Sequence, residues 1–440
     1  MEWMILADII MNAFKLPSEI FGADIWCLIV IIVTLVLFAI DKWPMGFVAM
    51  ISAILLALTG TMTVKQIYAG WSSNLAIMVL GMMIVGQAMF ETGAVIMIGR
   101  PIMKAKWASN ERAVMIALML ISGSLSAFLS NTAVVATFIP LIGAMVASSK
   151  GHLHQKYLMM PLGFAAAMGG TLTVIGSTSQ PMVNTVLEEQ GLELMSIFSI
   201  FPVALPSFIF MIVYMSTIGY KGMQKYCDFE DVLLDTDASA METFQPTWRT
   251  WVSIGVLAFC VFGFFVGLWD LAAIALIGAT ICILTGCISF KKGFNSVDWN
   301  TICVMAFAQG IAAAMNDSGA GAMIANWAVD VVGDNLVLQL AACIIVVTVL
   351  TNIMSNTAVA AMMAPIYILI AAQLGASYMP FMIGIAVASN LTAATPIGGT
   401  AVTMTSQAGY RFKDFLKIGT PMNIVWAILT IVMTIICFPF

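Results

Sequence analysis

The sequence predicts an all-α polytopic membrane protein made of two repeated halves. Three observations carry that prediction. Of the 440 residues, 61% are hydrophobic and only 9% charged, whereas a soluble domain carries roughly 25% charged residues. Apolar runs of membrane-crossing length recur along the whole chain. The pentapeptide Ser130-Asn131-Thr132-Ala133-Val134 returns as Ser355-Asn356-Thr357-Ala358-Val359, an offset of 225 from residue 130 to residue 355. The match extends outward. Ser126 and Thr351 each precede a copy by four residues, and Pro140 and Pro365 keep the same offset.

Composition also excludes several functions. A net charge of −5 gives no reason to expect nucleic acid as a partner. The chain opens with Glu2 and Asp8 rather than a basic stretch, so no cleavable signal peptide is expected. Seven of the eight cysteines (Cys27, Cys260, Cys282, Cys287, Cys303, Cys343 and Cys437) sit in apolar stretches without CxxC spacing. They read as small packing residues, not metal ligands. The two histidines, His152 and His154, share a Lys-flanked loop and read as solvated. The 35 methionines read as packing and lipid contact. No transition metal and no cofactor is expected, and no covalent chemistry, so the chain does not read as an enzyme.

Taken in order, residues 1–23 are mixed and read as an N-terminal interfacial segment. The first half covers 24–220, with apolar spans at about 24–40, 44–60 and 74–98. Residues 112–148 form one apolar stretch with the first Ser-Asn-Thr at its middle, long enough for two crossings or for a re-entrant hairpin. A span at about 157–188 is interrupted at Gly169-Gly170-Thr171 and at Ile175-Gly176-Ser177-Thr178, and another runs about 197–219. Residues 221–247 are polar and acidic and form the linker between halves, a solvated surface more than a binding site. The second half, 248–440, repeats the plan with spans at about 249–267, 270–290 and 300–330. Residues 335–374 carry the second Ser-Asn-Thr at their centre, a span at about 379–409 is broken between Thr392 and Thr400, and the last span runs about 419–438.

Charge orients the halves. If each Ser-Asn-Thr stretch enters and leaves on one side, each half crosses five times, and an odd number inverts the second half relative to the first. Fifteen of the 17 basic residues, from Lys42 to Lys417, then share one side, leaving Lys15 and Lys65 on the other. The basic side is cytoplasmic, which puts both termini outside and the linker in the cytoplasm. Full crossings would leave the same parity, so the polar knots themselves argue for re-entrance.

The knots need a function, because an unsatisfied polar group in hydrocarbon costs several kcal/mol. A helix broken at mid-membrane exposes N–H groups and a positive dipole end after the break, which suit an anion, and carbonyls before it, which suit Na⁺. Ser, Thr and Asn add neutral oxygens and donors. The set fits a hard monovalent cation together with an anion, and it lacks the Cys or His that zinc wants. Glu91 and Asp317 occupy corresponding positions in the repeat, each toward the far end of its span. They read as helix-end residues near the interface or as ion-coupling carboxylates. No basic residue is available within the spans to pair with an anion, so co-bound sodium would lower the electrostatic cost of holding one.

These motifs resemble the divalent anion:sodium symporter family of the ion transporter superfamily. The paired Ser-Asn-Thr motifs, the broken spans after them and the repeat carry the resemblance over nearly the whole chain. It implies a homodimeric elevator transporter with one sodium site per half. The first site would use Ser126, Ser130, Asn131 and the backbone near Gly176. The second would use Thr351, Ser355, Asn356 and the backbone near Ala394. Substrate carboxylates would meet Ser130, Asn131, Thr132, Ser177 and Thr178, and Ser355, Asn356, Thr357, Thr395 and Pro396. The family's broken spans carry Gly-Thr-Pro; here the first reads Gly176-Ser177-Thr178 and the second Ala394-Thr395-Pro396, followed by Gly398-Gly399-Thr400. The resemblance thus implies sodium-coupled symport of small di-anions in the plasma membrane, C4-dicarboxylates first and sulfate or citrate next. An Na⁺/H⁺ antiporter, an arsenite-type exporter or an anion channel stand as alternatives.

Overall fold

A computed structural model describes residues 20–40, 42–97, 110–149, 151–231 and 245–440. Most of the N-terminal segment (1–19) and the acidic centre of the linker (232–244) lie outside the described residues, as do Lys15, Arg100, Lys104, Lys106 and Lys150. Among the described residues the regular structure is helical throughout.

The helices of the first half are α1 Ala23–Ile40, α2 Met45–Leu58, α3 Val64–Ala69, α4 Asn74–Glu91, α5 Glu111–Ser126, α6 Asn131–Ser148, α7 Gln155–Gly169, α8 Ser179–Glu189 and α9 Phe201–Tyr214. A π-turn at Met215–Gly219 carries α9 into α10, Tyr220–Tyr226, so this helix runs past the expected end of the first half at residue 220. The second half holds α11 Trp248–Val266, α12 Leu271–Leu284, α13 Phe290–Asn295, α14 Trp299–Asp317, α15 Ala320–Val332, α16 Leu336–Thr351, α17 Asn356–Gln373, α18 Met379–Ala388, α19 Thr400–Thr405 and α20 Phe412–Cys437. Five helical stretches are long and apolar enough to cross a membrane: Asn74–Glu91, Phe201–Tyr226, Trp248–Val266, Asn356–Gln373 and Phe412–Cys437. Shorter apolar helices, α1, α2, α6, α12 and α18 among them, fill in between.

The repeat expected from the pentapeptide is present in the helix boundaries. Helices α5 and α6 begin and end at 111, 126, 131 and 148; α16 and α17 do so at 336, 351, 356 and 373, each 225 residues later. The correspondence extends to short elements: α2 and α12 are 14 residues each, and α3 and α13 six each. Helix α14 breaks after Asp317 at Ser318-Gly319, where Gly319 takes a left-handed φ of 81°, a conformation costly for other residues.

The halves interlock, and several cross-half contacts occur in both senses. Helix α2 packs on α14 while α12 packs on α4; α8 packs on α17 while α19 packs on α6. Polar pins recur at corresponding places. Asn300 Oδ1 accepts from the Gly46 N–H at 2.7 Å, and Asn74 Nδ2 donates to Asp270 at 3.0 Å. The first is part-buried and the second exposed, and each ties a helix of one half to the other half.

Candidate functional site

Each hairpin turns between its two helices at a Ser-Asn-Thr knot, and each is pinned there by the broken span that follows. The Thr173 hydroxyl donates to the Ala127 carbonyl at the tip of the first hairpin, and the Thr395 hydroxyl donates to the Asn352 carbonyl at the tip of the second. Each of these threonines also accepts from a backbone N–H two residues on, that of Ile175 or Ile397. Two residues beyond the pinning threonine's neighbour comes a glycine. A Cβ on Gly176 would stand 2.6 Å from the Ser126 carbonyl oxygen, and one on Gly398 would overlap that of Thr351. Only glycine lets the backbone approach this closely.

This close approach brings oxygens around each knot asparagine. The inward edge of the Asn131 amide meets Ser126 Oγ at 2.5 Å, the Gly176 carbonyl at 3.0 Å and the Ala166 carbonyl at 3.2 Å. The Asn356 amide meets Thr351 Oγ1 at 2.8 Å, the Gly398 carbonyl at 3.0 Å and the Ser389 carbonyl at 3.1 Å. With Nδ2 turned inward, each amide donates to these oxygens and the knot is satisfied by hydrogen bonds. With Oδ1 turned inward, each knot gathers four neutral oxygens from a hydroxyl, an amide and two carbonyls. An all-oxygen set without carboxylates suits a hard monovalent cation and does not suit a metal that prefers nitrogen or sulfur.

The knots flank one cavity of about 620 Å³. Four helix N-termini open into it, those of α6, α8, α17 and α19, whose N-caps Ser130, Thr178, Ser355 and Gly399 all line the wall. None of the four has a side-chain cap. Serine and threonine are strong capping residues, so three of these helices have a capping residue type in place and leave the first N–H groups free. Free N–H groups and a positive dipole end make an anion site. Helix α19 has only six residues and adds N–H groups more than dipole.

Two hydroxyl pairs cross the cavity between halves. Thr132 and Thr400 lie 2.7 Å apart, Thr178 and Thr357 2.6 Å apart. Each pair uses one hydroxyl proton internally and keeps one to donate. The wall contributed by α2, α4 and the start of α14 is more apolar, with Val79, Met82, Met83 and Phe90, and carries Gln87, Asn300 and Asp298. Among the described residues Asp298 is the only charged side chain on the cavity wall. It caps α14, accepting from the Thr301 N–H at 3.2 Å and the Thr301 hydroxyl at 2.5 Å.

The residues expected from the sequence divide into two groups. Ser130, Asn131, Thr132, Gly176, Ser177, Thr178, Ser355, Asn356 and Thr357 all line this cavity, with Ser126 and Thr351 bonded behind the knots. Ala394, Thr395 and Pro396 do not line it. The Ala394 N–H donates to Asn352 Oδ1 at 3.1 Å, Thr395 is the pinning residue, and the Pro396 carbonyl accepts from Thr403. The counterpart of Gly176-Ser177-Thr178 is Gly398-Gly399-Thr400, four residues later than the sequence pairing. The signal was available: Thr173-Val174-Ile175-Gly176-Ser177-Thr178 and Thr395-Pro396-Ile397-Gly398-Gly399-Thr400 share Thr-x-Ile-Gly-x-Thr. Sequence reasoning also missed Asn390, buried between the halves, and Thr392, whose buried hydroxyl has no hydrogen-bond partner.

Glu91 and Asp317 end α4 and α14 away from the cavity. Glu91 pairs with Lys292 at 2.8 Å with both side chains partly exposed, and Asp317 accepts from Gln66 at 2.9 Å.

Two repeated halves meeting at one donor-rich cavity without a basic side chain among the described residues invite comparison with known proteins. The model of the citrate transporter family CitMHS matches residues 35–271 and again 266–439. The chain belongs to that family. That family and the relatives and solved structures the chain resembles are transporters, not enzymes. It is 31% identical over 199 residues to an uncharacterized transporter of Escherichia coli, YfbS, a match covering 45% of this chain and about a third (32%) of that protein's length. The sodium-dependent dicarboxylate transporter SdcS of Staphylococcus aureus is 22% identical, over 90% of this chain and 82% of its own. The crystal structure of the Alcanivorax borkumensis YdaH transporter shares the fold, with a TM-score of 0.59 and 14% identity over 96% of this chain and 99% of that one.

Proposed function

We propose that the chain is a sodium-coupled symporter of small di-anions, with C4-dicarboxylates the leading substrates and citrate or sulfate next. The observation that carries this reading is the convergence of four uncapped helix N-termini on one cavity that no basic side chain among the described residues lines. Each of the three longer helices presents roughly half a positive charge. Together they offer about +1.5, short of a di-anion's −2, and Asp298 on the wall adds to the negative charge to be met. A cation at each knot makes up the deficit, so anion and sodium bind better together than apart. The Thr132–Thr400 and Thr178–Thr357 hydroxyls supply the remaining donors to carboxylate oxygens.

In this reading the sodium ligands are Ser126, Ser130, Asn131 and Gly176 in one half and Thr351, Ser355, Asn356 and Gly398 in the other. The reciprocal contacts between halves support an inverted repeat, with α5–α6 and α16–α17 as re-entrant hairpins. The hairpins and broken spans form the moving body of an elevator, the remaining helices a scaffold that dimerises in the lipid, with both termini outside and the linker cytoplasmic. The placement of Glu91 and Asp317 at exposed helix ends, outside the cavity, gives no support to proton exchange.

Ligand binding raises apparent stability by mass action, which provides the test. Purified protein is heated with succinate, malate, citrate, sulfate or arsenite, in Na⁺ or in choline. The reading expects a di-anion to raise Tm only when Na⁺ is present. Stabilisation that ignores Na⁺ and follows pH overturns it.

A further inference from the structure

The two knots differ in one respect that their repeat does not require. Beside Asn131 stands the Ala166 carbonyl, and the next residue, Ala167, is a methyl on the cavity wall. Beside Asn356 stands the Ser389 carbonyl, and the next residue is Asn390, with no exposed surface. Asn390 Oδ1 accepts from Ser177 Oγ at 2.8 Å and from Asn356 Nδ2 at 3.0 Å, while its Nδ2 donates to Ser179 Oγ at 2.7 Å. A side chain of the second half thus touches both its own knot asparagine and the turn that opens α8 in the first half.

The orientation of the Asn356 amide decides what Asn390 can do. When Asn356 Oδ1 faces Thr351 Oγ1, Gly398 O and Ser389 O, the arrangement a cation needs, Nδ2 is left to donate to Asn390. When the amide is reversed, Nδ2 donates to those three oxygens and Oδ1 faces Asn390 Oδ1 at 3.0 Å. Two carbonyl oxygens that close with no proton between them repel, so Asn390 must turn as well. Its bonds to Ser177 and Ser179 then exchange donor and acceptor. Buried amides cannot hand such bonds to water, so the exchange is felt at Ser177, which lines the cavity.

We propose that Asn390 is a positioning residue that couples cation occupancy at the second knot to the anion-facing turn Ser177–Ser179. The proposal rests on the symport reading above. It makes the knots unequal: the second is wired to the opposite half's anion-binding turn, and the first, with Ala167 in the corresponding place, is not.

The test measures apparent affinity for succinate and for citrate by thermal stabilisation of the full chain at low and at saturating Na⁺. In the wild type the affinity rises with Na⁺. In Asn390→Ala, anion still binds at saturating Na⁺, but the factor by which Na⁺ raises affinity falls about three- to tenfold, the worth of one or two exchanged hydrogen bonds. Ser179→Ala, which removes a partner outside the cavity wall, lowers the same factor to a smaller extent. The double variant falls no further than Asn390→Ala alone, because both act through one network. If Asn390→Ala does not fold, Ser179→Ala alone carries the test. Weakened anion binding at every Na⁺ concentration, with the factor unchanged, would mean a packing role and overturn the relay. A wild type without any sodium linkage overturns the symport reading and the relay with it.

Discussion

Gly398→Ala tests the geometry of the second knot most sharply. A methyl at this position would overlap the Thr351 carbonyl oxygen and come 2.9 Å from its carbon and 3.0 Å from the Asn352 Cα, all of them backbone. Carbon–oxygen contacts settle at about 3.3–3.6 Å, so the break must retreat by well over an ångström. The Gly398 carbonyl then leaves the Asn356 amide, from which it now stands 3.0 Å. Losing one of four oxygens around a cation costs about 1.5–3 kcal/mol, taking a hydrogen bond to a charged group as the guide. That is roughly a ten- to hundredfold loss in sodium affinity. The assay titrates Na⁺ at saturating di-anion and follows Tm. Gly255→Ala serves as the control, since a Cβ there meets nothing within 4 Å on helix α11; it should leave the titration unchanged and add about 0.5–1 kcal/mol of helix stability. A Gly398→Ala protein that titrates sodium like the wild type would refute the placement of this carbonyl in the site.

Other expectations follow from the same geometry. Thr132→Val and Thr400→Val should each weaken di-anion binding by about 0.5–1.5 kcal/mol, because a hydroxyl donor to the anion is lost, and a double-mutant cycle in binding titrations should show coupling between them; simple additivity would place the pair outside the site. Glu91→Gln should change stability by no more than about 1 kcal/mol, as expected for a partly exposed ion pair, and Glu91→Gln and Asp317→Asn should both retain sodium-dependent uptake with an unshifted pH profile. Loss of transport in either would revive proton exchange. Cys227, at the end of α10, is buried beside Asp414, and burial first and that carboxylate second push its thiol up to about 12. Only the thiolate reacts, so maleimide labelling at pH 7–8 should spare this cysteine in the folded protein and reach it after denaturation.

The helix boundaries around the two knots were legible in the sequence almost to the residue. The expected stretches 112–148 and 335–374 are helix–turn–helix units at 111–148 and 336–373, because Ser-Asn-Thr between apolar runs is a strong break signal. The broken spans were legible as broken but not in register. Ala394-Thr395-Pro396 drew the pairing because Thr-Pro stands out in a sequence, yet Thr395 has the same task as Thr173, holding the hairpin tip. What sets the register is close backbone approach at Gly176 and Gly398, a three-dimensional demand that composition does not display. Asn390 and Thr392 were invisible for a similar reason. Single polar residues near an apolar helix end are common packing groups; the bonds of Asn390 across the halves and the unpartnered buried hydroxyl of Thr392 distinguish these two. Glu91 and Asp317 could be matched to each other from sequence, but their partners Lys292 and Gln66 sit on short helices whose packing no linear pattern specifies.

The central claim is that sodium and a di-anion occupy one shared site and move together. The direct measurement is uptake of labelled succinate or citrate by proteoliposomes of purified protein, with an inward Na⁺ gradient, with equal Na⁺ on both sides, and with choline. The account predicts accumulation above the external concentration under the gradient alone, and its loss in Asn131→Ala and Asn356→Ala proteins that remain folded. Equal accumulation in choline, or normal uptake by both variants, would contradict it.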